Sequence, residues 1–328
     1  MEWNTPVEIV EDKCPLSHRD TILLLGSCFA EEIGQKLSEN KFAVDVNPFG
    51  ILYNPASIAR SVRRLLAPEA FGAADLFEHN GLYHSFAHHS CFSAPMEVEA
   101  LEKMNGRLAC ASRRLPETSR LVITFGTACV YRLRSSGEVV SNCHKLPEKL
   151  FEREMLDIAG IASEWEALLL DLWELNPGLR ALFTVSPVRH WKDGAHVNQL
   201  SKATLLLAIH ELQSRYPERI AYFPAYEIVM DELRDYRFYA GDMLHPSPLA
   251  VEYVWERFCA GFLTTESQDI LREWGVIRKA IAHRPFRPES KAYQDFIMQT
   301  LLKAELLSRK FPYFDLSGEI ERLRSEIK

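Results

Sequence analysis

An aspartate and a histidine three residues apart form one candidate catalytic pair of this sequence. Asp242 and His245 lie in the polar stretch between Gly241 and Ser247. A carboxylate at this spacing can accept the Nδ1 proton of the imidazole, which leaves Nε2 free to act as a general base. The same pattern also occurs at ordinary polar helix entrances, so only its position in the fold can decide between the two interpretations.

A serine directly after the first apolar run is the candidate nucleophile. Ser27 follows Gly26, and the run at residues 21–25 is typical of a buried strand. Apolar residues then recur at helical spacing, so Ser27 stands at a helix N-terminus, whose N–H groups and dipole suit acyl transfer. Simple helix capping by Ser27 is the alternative. Cys28 is a competing nucleophile, because a helix N-terminus lowers the pKa of a thiol. The alternative is that Cys28 is a thiol packed in the core.

Basic and amide side chains that follow the predicted strands are candidates for substrate binding. His144 and Lys145 form one pair, and Arg189 and His190 form another. Such cations can hold an anionic or sugar substrate, and arginine does so with two parallel hydrogen bonds. Bonding to backbone carbonyls of neighbouring loops is the alternative. The complete candidate set is Asn47, Asn142, His144, Lys145, Arg189, His190 and Asn198.

Three histidines after the first predicted hairpin suggest a metal site only weakly. His84, His88 and His89 lie close to Cys91 in the sequence. Strand alternation would place His88 and His89 on opposite faces, which favours surface or substrate contacts over shared metal ligation. No Gly-rich phosphate-binding loop occurs either. The sequence therefore predicts neither a metal nor another cofactor.

The elements that must position these residues alternate between strand and helix. Strands are predicted at residues 21–25, 120–124, 181–185 and 220–223, with hairpins within 75–92 and 130–142. Helices are predicted at residues 29–37, 56–66, 97–115, 164–175, 201–215, 227–233 and 249–262. This alternation predicts a parallel sheet covered by helices on both faces. After residue 264 only two helical segments remain, at residues 267–281 and 290–309.

Composition excludes several classes of protein. The chain has 328 residues, of which 47% are hydrophobic and 25% charged, and its net charge of −7 provides no general attraction for nucleic acid or an anionic membrane. No apolar run approaches the roughly 18 residues of a membrane span. Seven cysteines, from Cys14 to Cys259, form no C-x-x-C pair. We therefore expect a cytoplasmic protein with neither nucleic acid nor membrane as partner, and its oligomeric state stays open.

The motif Gly26-Ser27-Cys28-Phe29-Ala30 resembles that of the GSCFA-domain family, which is similar to the SGNH (GDSL-type) hydrolases. The resemblance covers roughly residues 20–262. It continues through residues 47–50, 53–55, 126–128, 142–145, 186–189, 198–202 and 242–247.

The resemblance implies a three-layer α/β/α sandwich with a mostly parallel, flavodoxin-like sheet and a C-terminal helical extension. The expected units are a hydrolase domain at residues 1–263, with its core at about 20–262, and the extension at 264–328. By motif, Ser27 resembles the nucleophile, His245 the general base and Asp242 its orienting carboxylate. The implied activity is that of a serine esterase or acyltransferase without a cofactor, acting on O-acyl esters of small molecules or carbohydrates.

The resemblance is incomplete at the oxyanion hole. The N–H groups of Ser27 and Gly50 match two donors, but Ala128 stands where SGNH enzymes carry an asparagine. One missing donor typically lowers the rate on the order of 10²–10³-fold. Thr127, Asn54, or the amides of Asn142 and Asn198 are the alternatives for the third donor. A catalytically silent binding module is thus the second hypothesis, and a metal hydrolase using His84, His88 and His89 is the third.

Overall fold

Five parallel strands form the central sheet, in the order β2-β1-β5-β9-β10. The structure, a computed structural model, describes residues 5–10 and 15–327, so Cys14 lies outside it. The strands are β1 (Thr21–Gly26), β2 (Ala43–Val46), β3 (Phe77–His79), β4 (Leu82–His84), β5 (Arg120–Phe125), β6 (Cys129–Leu133), β7 (Val139–Val140), β8 (Phe151–Met155), β9 (Arg180–Val185) and β10 (Ile220–Phe223). The helices are α1 (Cys28–Glu39), α2 (Pro55–Leu66), α3 (Glu97–Arg114), α4 (Ile158–Leu175), α5 (Gly194–Arg215), α6 (Ala225–Glu227), α7 (Pro248–Phe262), α8 (Thr265–Ala282), α9 (Lys291–Lys310) and α10 (Ser317–Glu326).

Strand alternation builds a core on each face of this sheet. Leu23 and Leu25 of β1 pack on the face covered by α2, α3, α4 and α5. Ile22 and Leu24 point the other way and pack against α1 and α7. The result is a three-layer α/β/α sandwich, and the sheet order is the flavodoxin-like one. The fold class expected from the sequence is confirmed.

The carboxyl ends of β1, β5 and β9 lie side by side, because the strands are parallel and in register. Chain segments that leave these ends therefore converge at one edge of the sheet, where ligands bind in open α/β folds. A small antiparallel sheet, β7-β6-β8, follows β5 and stands beside that edge.

The C-terminal extension has an apolar cluster of its own, formed by α8, α9 and α10. It contacts the end of α1, where Trp274 Nε1 donates to Glu39 O at 3.1 Å and Lys41 Nζ lies 2.8 Å from a carboxylate oxygen of Glu319. Helix α1 runs back along the sheet from the carboxyl end of β1. The extension therefore meets the core at the end of the sheet away from the converging loops.

Most predicted elements are present, and the differences have local causes. β2, β8 and α10 were not predicted. β2 is an edge strand whose one buried residue is Asp45, so it lacks a buried apolar run. Helix α4 begins at Ile158, earlier than predicted, because Asp157 caps it by accepting the Gly160 N–H at 2.8 Å. The segment expected to be a helix at 227–233 is the end of the short α6 followed by a π-helix at Ile228–Glu232.

No helix in the described part of the chain combines the length and the apolar content that a membrane crossing requires.

Candidate active site

The turn between β1 and α1 holds Ser27 in a fixed position. Gly26 adopts φ +147°, and a Cβ at this residue would lie 2.2 Å from the carbonyl oxygen of Thr124, so the turn requires glycine. Ser27 then caps α1, its Oγ accepting the backbone N–H of Phe29 at 3.3 Å. The Ser27 residue has no solvent exposure. Ser27 therefore caps α1 and also lies directly after the carboxyl end of β1, as both interpretations of the sequence expected.

The loop before α7 joins Asp242 and His245. Oδ2 of Asp242 lies 2.6 Å from Nδ1 of His245, while Oδ1 accepts the backbone N–H groups of Leu244 at 2.9 Å and His245 at 3.0 Å. The backbone N–H groups, and then the imidazole, hold the pKa of the Asp242 carboxyl well below its usual range. Nε2 of His245 forms no hydrogen bond within the described residues. The pair thus has the geometry of an oriented general base.

His245 lies on the wall of a cavity of about 620 Å³ at the carboxyl edge of the sheet. One side is formed by Tyr53 and Asn54 before α2, together with Thr127 after β5. The antiparallel sheet forms another side, and the chain after β9 completes the walls. The residues from that last segment are Val188, Arg189, His190, Trp191, Lys192 and Asp193.

Ser27 and Cys28 do not line this cavity, and Ser27 forms no hydrogen bond with His245 in the described structure. Cys28 is partly exposed and lies near Tyr53. Burial raises the pKa of the Cys28 thiol despite its place at a helix N-terminus. The structure therefore brings Asp242 and His245 together and places neither candidate nucleophile on the cavity wall.

The backbone donors expected in the oxyanion hole already have acceptors. The Gly50 N–H donates to Asn47 O at 2.7 Å, and the Ser27 N–H donates to Thr124 O at 3.3 Å. The Thr127 N–H donates to the carbonyl oxygen of Tyr53 at 3.0 Å. These N–H groups would have to exchange partners before they could bind an oxyanion.

Asn54 and Asn142 are the two candidate donors with side-chain amides on the cavity wall, and Asn54 also lies at a helix N-terminus. The Asn54 Oδ1 accepts the Ser57 N–H at 2.8 Å and so caps α2. This bond fixes the orientation of the carboxamide, and its Nδ2 has no hydrogen-bond partner among the described residues. At the N-terminus of α2 the helix dipole favours negative charge.

The other candidate residues divide between the cavity and the scaffold. Asn142, Lys145, Arg189 and His190 line the cavity. Asn47, His144 and Asn198 do not line it. The Asn47 side chain accepts the Gly26 N–H at 2.9 Å, and His144 is buried with its Nε2 2.9 Å from Ser85 O. Asn198 lines a neighbouring cavity of about 290 Å³. The Asn198 Oδ1 accepts the backbone N–H of His190 at 2.9 Å, which positions the cavity wall indirectly.

Lys202 is a buried cation that the sequence reasoning did not assign. Its Nζ donates to Gly126 O at 2.7 Å and to Ser186 O at 2.6 Å, and so ties the segments that leave β5 and β9. Burial lowers its pKa to about 7. Burial and the nearby Lys202 charge together lower the pKa of His190 to about 3. The sequence contains one indication of this role, because the buried face of α5 carries a polar stripe formed by Asn198, Ser201 and Lys202.

The three histidines after the first hairpin have structural partners. The two ring nitrogens of His84 lie 2.7 Å from Ser93 Oγ and 3.1 Å from His79 O. His88 is buried among aromatic rings, and desolvation lowers its pKa to about 3. The Nδ1 atom of His89 accepts the backbone N–H of Cys91. Within residues 5–10 and 15–327, no group of three or more His, Cys, Asp or Glu side chains is placed to hold a metal ion. The geometry gives the metal hypothesis no support.

Two protein-family models match the sequence. The model of the GSCFA family matches residues 21–258, and the model described as the GSCFA domain protein, C-terminal domain, matches residues 274–328. No curated protein matches the sequence.

Solved structures show only a distant likeness. An acetyl xylan esterase (Est2A) from the rumen bacterium Butyrivibrio proteoclasticus aligns with a TM-score of 0.38 and 10% identity, covering 79% of this chain and 66% of that one. A Clostridium thermocellum family 3 carbohydrate esterase aligns with a TM-score of 0.32 and 12% identity, covering 77% of this chain and 97% of that one. Scores this low do not bear on the activity.

Proposed function

The chain belongs to the GSCFA family, and from that premise we propose that it hydrolyses or transfers the acyl group of O-acyl esters at the cavity beside His245. One observation carries the proposal. The His245 ring is oriented by Asp242 at 2.6 Å, its Nε2 lacks a partner among the described residues, and it lies on the wall of a cavity at the carboxyl edge of the sheet. A general base in this arrangement can take a proton from a nucleophile and return it to a leaving alcohol.

The proposed reaction has two steps. The Ser27 hydroxyl attacks the ester carbonyl while Nε2 of His245 takes its proton, and the protonated imidazole then donates that proton to the leaving alcohol. Water, or the hydroxyl of an acceptor, next attacks the acyl-enzyme with His245 again acting as base. Asp242 stabilises the imidazolium in both steps. We assign the side-chain amide of Asn54 as the donor that replaces the missing asparagine at position 128.

For this reaction the Ser27 Oγ must leave its bond with the Phe29 N–H and enter the cavity, which a rotation about χ1 would require. Cys28 is the adjacent alternative, because its thiol is partly exposed while Ser27 is not. His245 would serve either nucleophile in the same way, so the proposed acyl chemistry does not depend on which of the two attacks.

Carbohydrate esters are the substrate class we favour. The aromatic residues Tyr53, Tyr131 and Trp191 line the cavity and supply apolar area on which a sugar ring can pack. Amide and cationic side chains alternate with them and can bind hydroxyl groups. We further propose that residues 264–328 form a separate unit that braces the core, since its contacts with the end of α1 and with the segment before β1 lie away from the cavity.

A binding module without catalysis is the second candidate. It is favoured by the complete burial of Ser27 and by the existing acceptors of the Gly50 and Thr127 N–H groups. This hypothesis predicts that Ser27→Ala leaves ligand affinity unchanged. Ester hydrolysis with Ser27 as the nucleophile predicts instead that the same change removes most of the turnover.

Covalent labelling separates these candidates. Purified protein is treated with a fluorophosphonate or, separately, with iodoacetamide, and the modified peptide is identified by mass spectrometry. We expect a fluorophosphonate adduct on Ser27 that disappears in His245→Ala. His210→Ala is the matched control, since His210 is an exposed histidine of α5 away from the cavity.

The other outcomes are equally informative. Alkylation of Cys28 that depends on His245 would assign the nucleophile to the thiol and keep the acyl chemistry. Well-folded protein that is labelled at neither residue would exclude the esterase and leave the binding module.

A further inference from the structure

Cationic side chains outnumber carboxylates on the walls of the active-site cavity, although the whole chain carries a net charge of −7. The four cations are Lys145, Arg153, Arg189 and Lys192, and the two carboxylates are Glu148 and Asp193. The residues that line the cavity therefore carry two more positive than negative charges, opposite in sign to the net charge of the chain.

Both carboxylates are already neutralised by neighbouring cations. Lys192 Nζ lies 2.7 Å from a carboxylate oxygen of Glu148, and Arg153 forms a two-bond ion pair with Asp193. Lys145 and Arg189 form no ion pair with any described residue. The excess positive charge of the cavity thus belongs to these two side chains, of which Arg189 also lines the neighbouring cavity of about 290 Å³.

Arg189 is held in place by the loop that carries the general base. Its backbone N–H donates to Leu244 O at 3.1 Å, and a terminal nitrogen of its guanidinium donates to Met243 O at 3.2 Å. The guanidinium also stacks on Trp191, 4.1 Å from the ring centroid. These contacts use one of the five N–H donors of the guanidinium and fix its plane, so the others are oriented in advance.

From this arrangement we propose that the ester substrate carries a negatively charged group, a carboxylate or a phosphate, which Arg189 binds, with Lys145 adding to the attraction. The inference rests on the proposed function, because it names the substrate class of the same cavity. A guanidinium binds these oxyanions through two parallel charge-assisted hydrogen bonds, which a neutral ester cannot form. Since Arg189 donates hydrogen bonds to Met243 and Leu244, between Asp242 and His245, an anion bound to Arg189 would also restrict the motion of the loop that carries the general base.

Matched esters test the proposal and locate the charge. Phenyl acetate is neutral, 4-acetoxybenzoate carries its charge on the alcohol side, and phenyl hemiglutarate carries it on the acyl side. We expect at least one anionic ester to exceed phenyl acetate about tenfold or more in kcat/KM. Arg189→Gln should reduce that ratio about 10- to 100-fold, as expected for the loss of charge-assisted hydrogen bonds.

Arg113→Gln is the control, because it removes the same charge from an exposed position on α3. It should leave the ratio unchanged within twofold. Lys145→Gln provides a second variant in case Arg189→Gln fails to fold, and it should reduce the ratio less. Equal rates for charged and neutral esters, or a ratio that survives in the folded Arg189→Gln or Lys145→Gln protein, would overturn the proposal.

If none of the three esters is hydrolysed, binding of inorganic phosphate measured by calorimetry replaces the rate ratio. Binding that weakens about tenfold in Arg189→Gln, and not in Arg113→Gln, supports the anion site. Absence of binding, or an unchanged Kd in Arg189→Gln, contradicts it. The labelling of Ser27 and Cys28 reports separately on the acyl chemistry, so the failure of one proposal is distinguishable from the failure of the other.

Discussion

The buried ammonium of Lys202 donates a hydrogen bond to the carbonyl oxygen of Gly126 at 2.7 Å. A second bond to Ser186 O joins the two segments that leave β5 and β9, and both segments supply walls of the cavity. A lysine with 1% exposure is uncommon, since burying its charge is costly unless polar groups surround it. The contact suggests that the shape of the cavity depends on this residue.

Replacement of Lys202 by methionine should destabilise the protein by about 1–3 kcal/mol at pH 7, because two buried carbonyl oxygens lose their donor. The pKa of about 7 lies below the usual value of 10.5, so above pH 7 the unfolded chain holds a proton that the folded one has released. The free energy of unfolding of the wild type should therefore rise relative to Lys202→Met between pH 7 and 9, by about 1 kcal/mol per unit. Urea denaturation of both proteins measures this difference, and parallel pH curves would contradict it.

Asn54 is predicted to have two separable roles. Asn54→Ser keeps a side-chain acceptor for the Ser57 N–H but removes the amide donor, so stability should change by no more than about 0.5 kcal/mol while kcat falls about 10²–10³-fold. Asn54→Ala removes both and should lose about 1 kcal/mol of stability in addition. Thermal unfolding and ester hydrolysis are compared in the two variants. Equal activity of Asn54→Ser and the wild type would remove Asn54 from the oxyanion hole.

Asp242→Asn should impair catalysis without unfolding the loop. Asparagine can still accept the N–H groups of Leu244 and His245 through Oδ1, but its NH₂ group faces Nδ1 and favours the wrong tautomer of the imidazole. We expect kcat to fall about 10²–10⁴-fold with KM little changed. The neighbouring Asp235→Asn, whose carboxylate bonds to the Arg237 N–H outside the catalytic loop, is the control. Undiminished turnover in Asp242→Asn would exclude His245 as the base in this tautomer.

His18 is predicted to make the contact between the core and the C-terminal extension sensitive to acid. Its ring lies between Asn40 O at 3.1 Å and Ser267 Oγ at 2.9 Å and stacks on Phe42. Burial lowers the His18 pKa to about 4 from 6.5. Between these values the unfolded chain binds more protons than the folded one, so the stability supplied by the neutral ring is present above pH 6.5 and is lost as the pH falls towards 4.

The variant His18→Phe keeps an aromatic ring there but cannot titrate. Relative to this variant, the wild type should lose about 2 kcal/mol of unfolding free energy between pH 7 and pH 4.5. Chemical denaturation at the two pH values measures the change. An identical acid response of the two proteins would show that His18 does not contribute to it.

The sequence by itself determined the features whose causes are local. The alternation in β1 and the glycine turn before Ser27 predict a strand, a turn and a helix, because side-chain periodicity is a property of neighbouring residues. The pairing of Asp242 with His245 was also predictable, since three residues of one loop close the bond without help from the rest of the chain. The short edge strand β2 was not predicted, because its own residues show no strand pattern and its conformation is fixed by pairing with β1.

The tertiary structure decided what depends on how separate loops meet. Whether Ser27 faces a cavity or the core, and whether the Gly50 N–H is free or bonded to Asn47 O, depends on packing between segments that the sheet order brings together. The bonds from Arg189 to the loop of His245, and from Lys202 to two strand ends, join residues that are 16 to 76 positions apart in the sequence. A hydrogen bond of that kind leaves no periodicity in the sequence, because its partners are neighbours only after the sheet has formed.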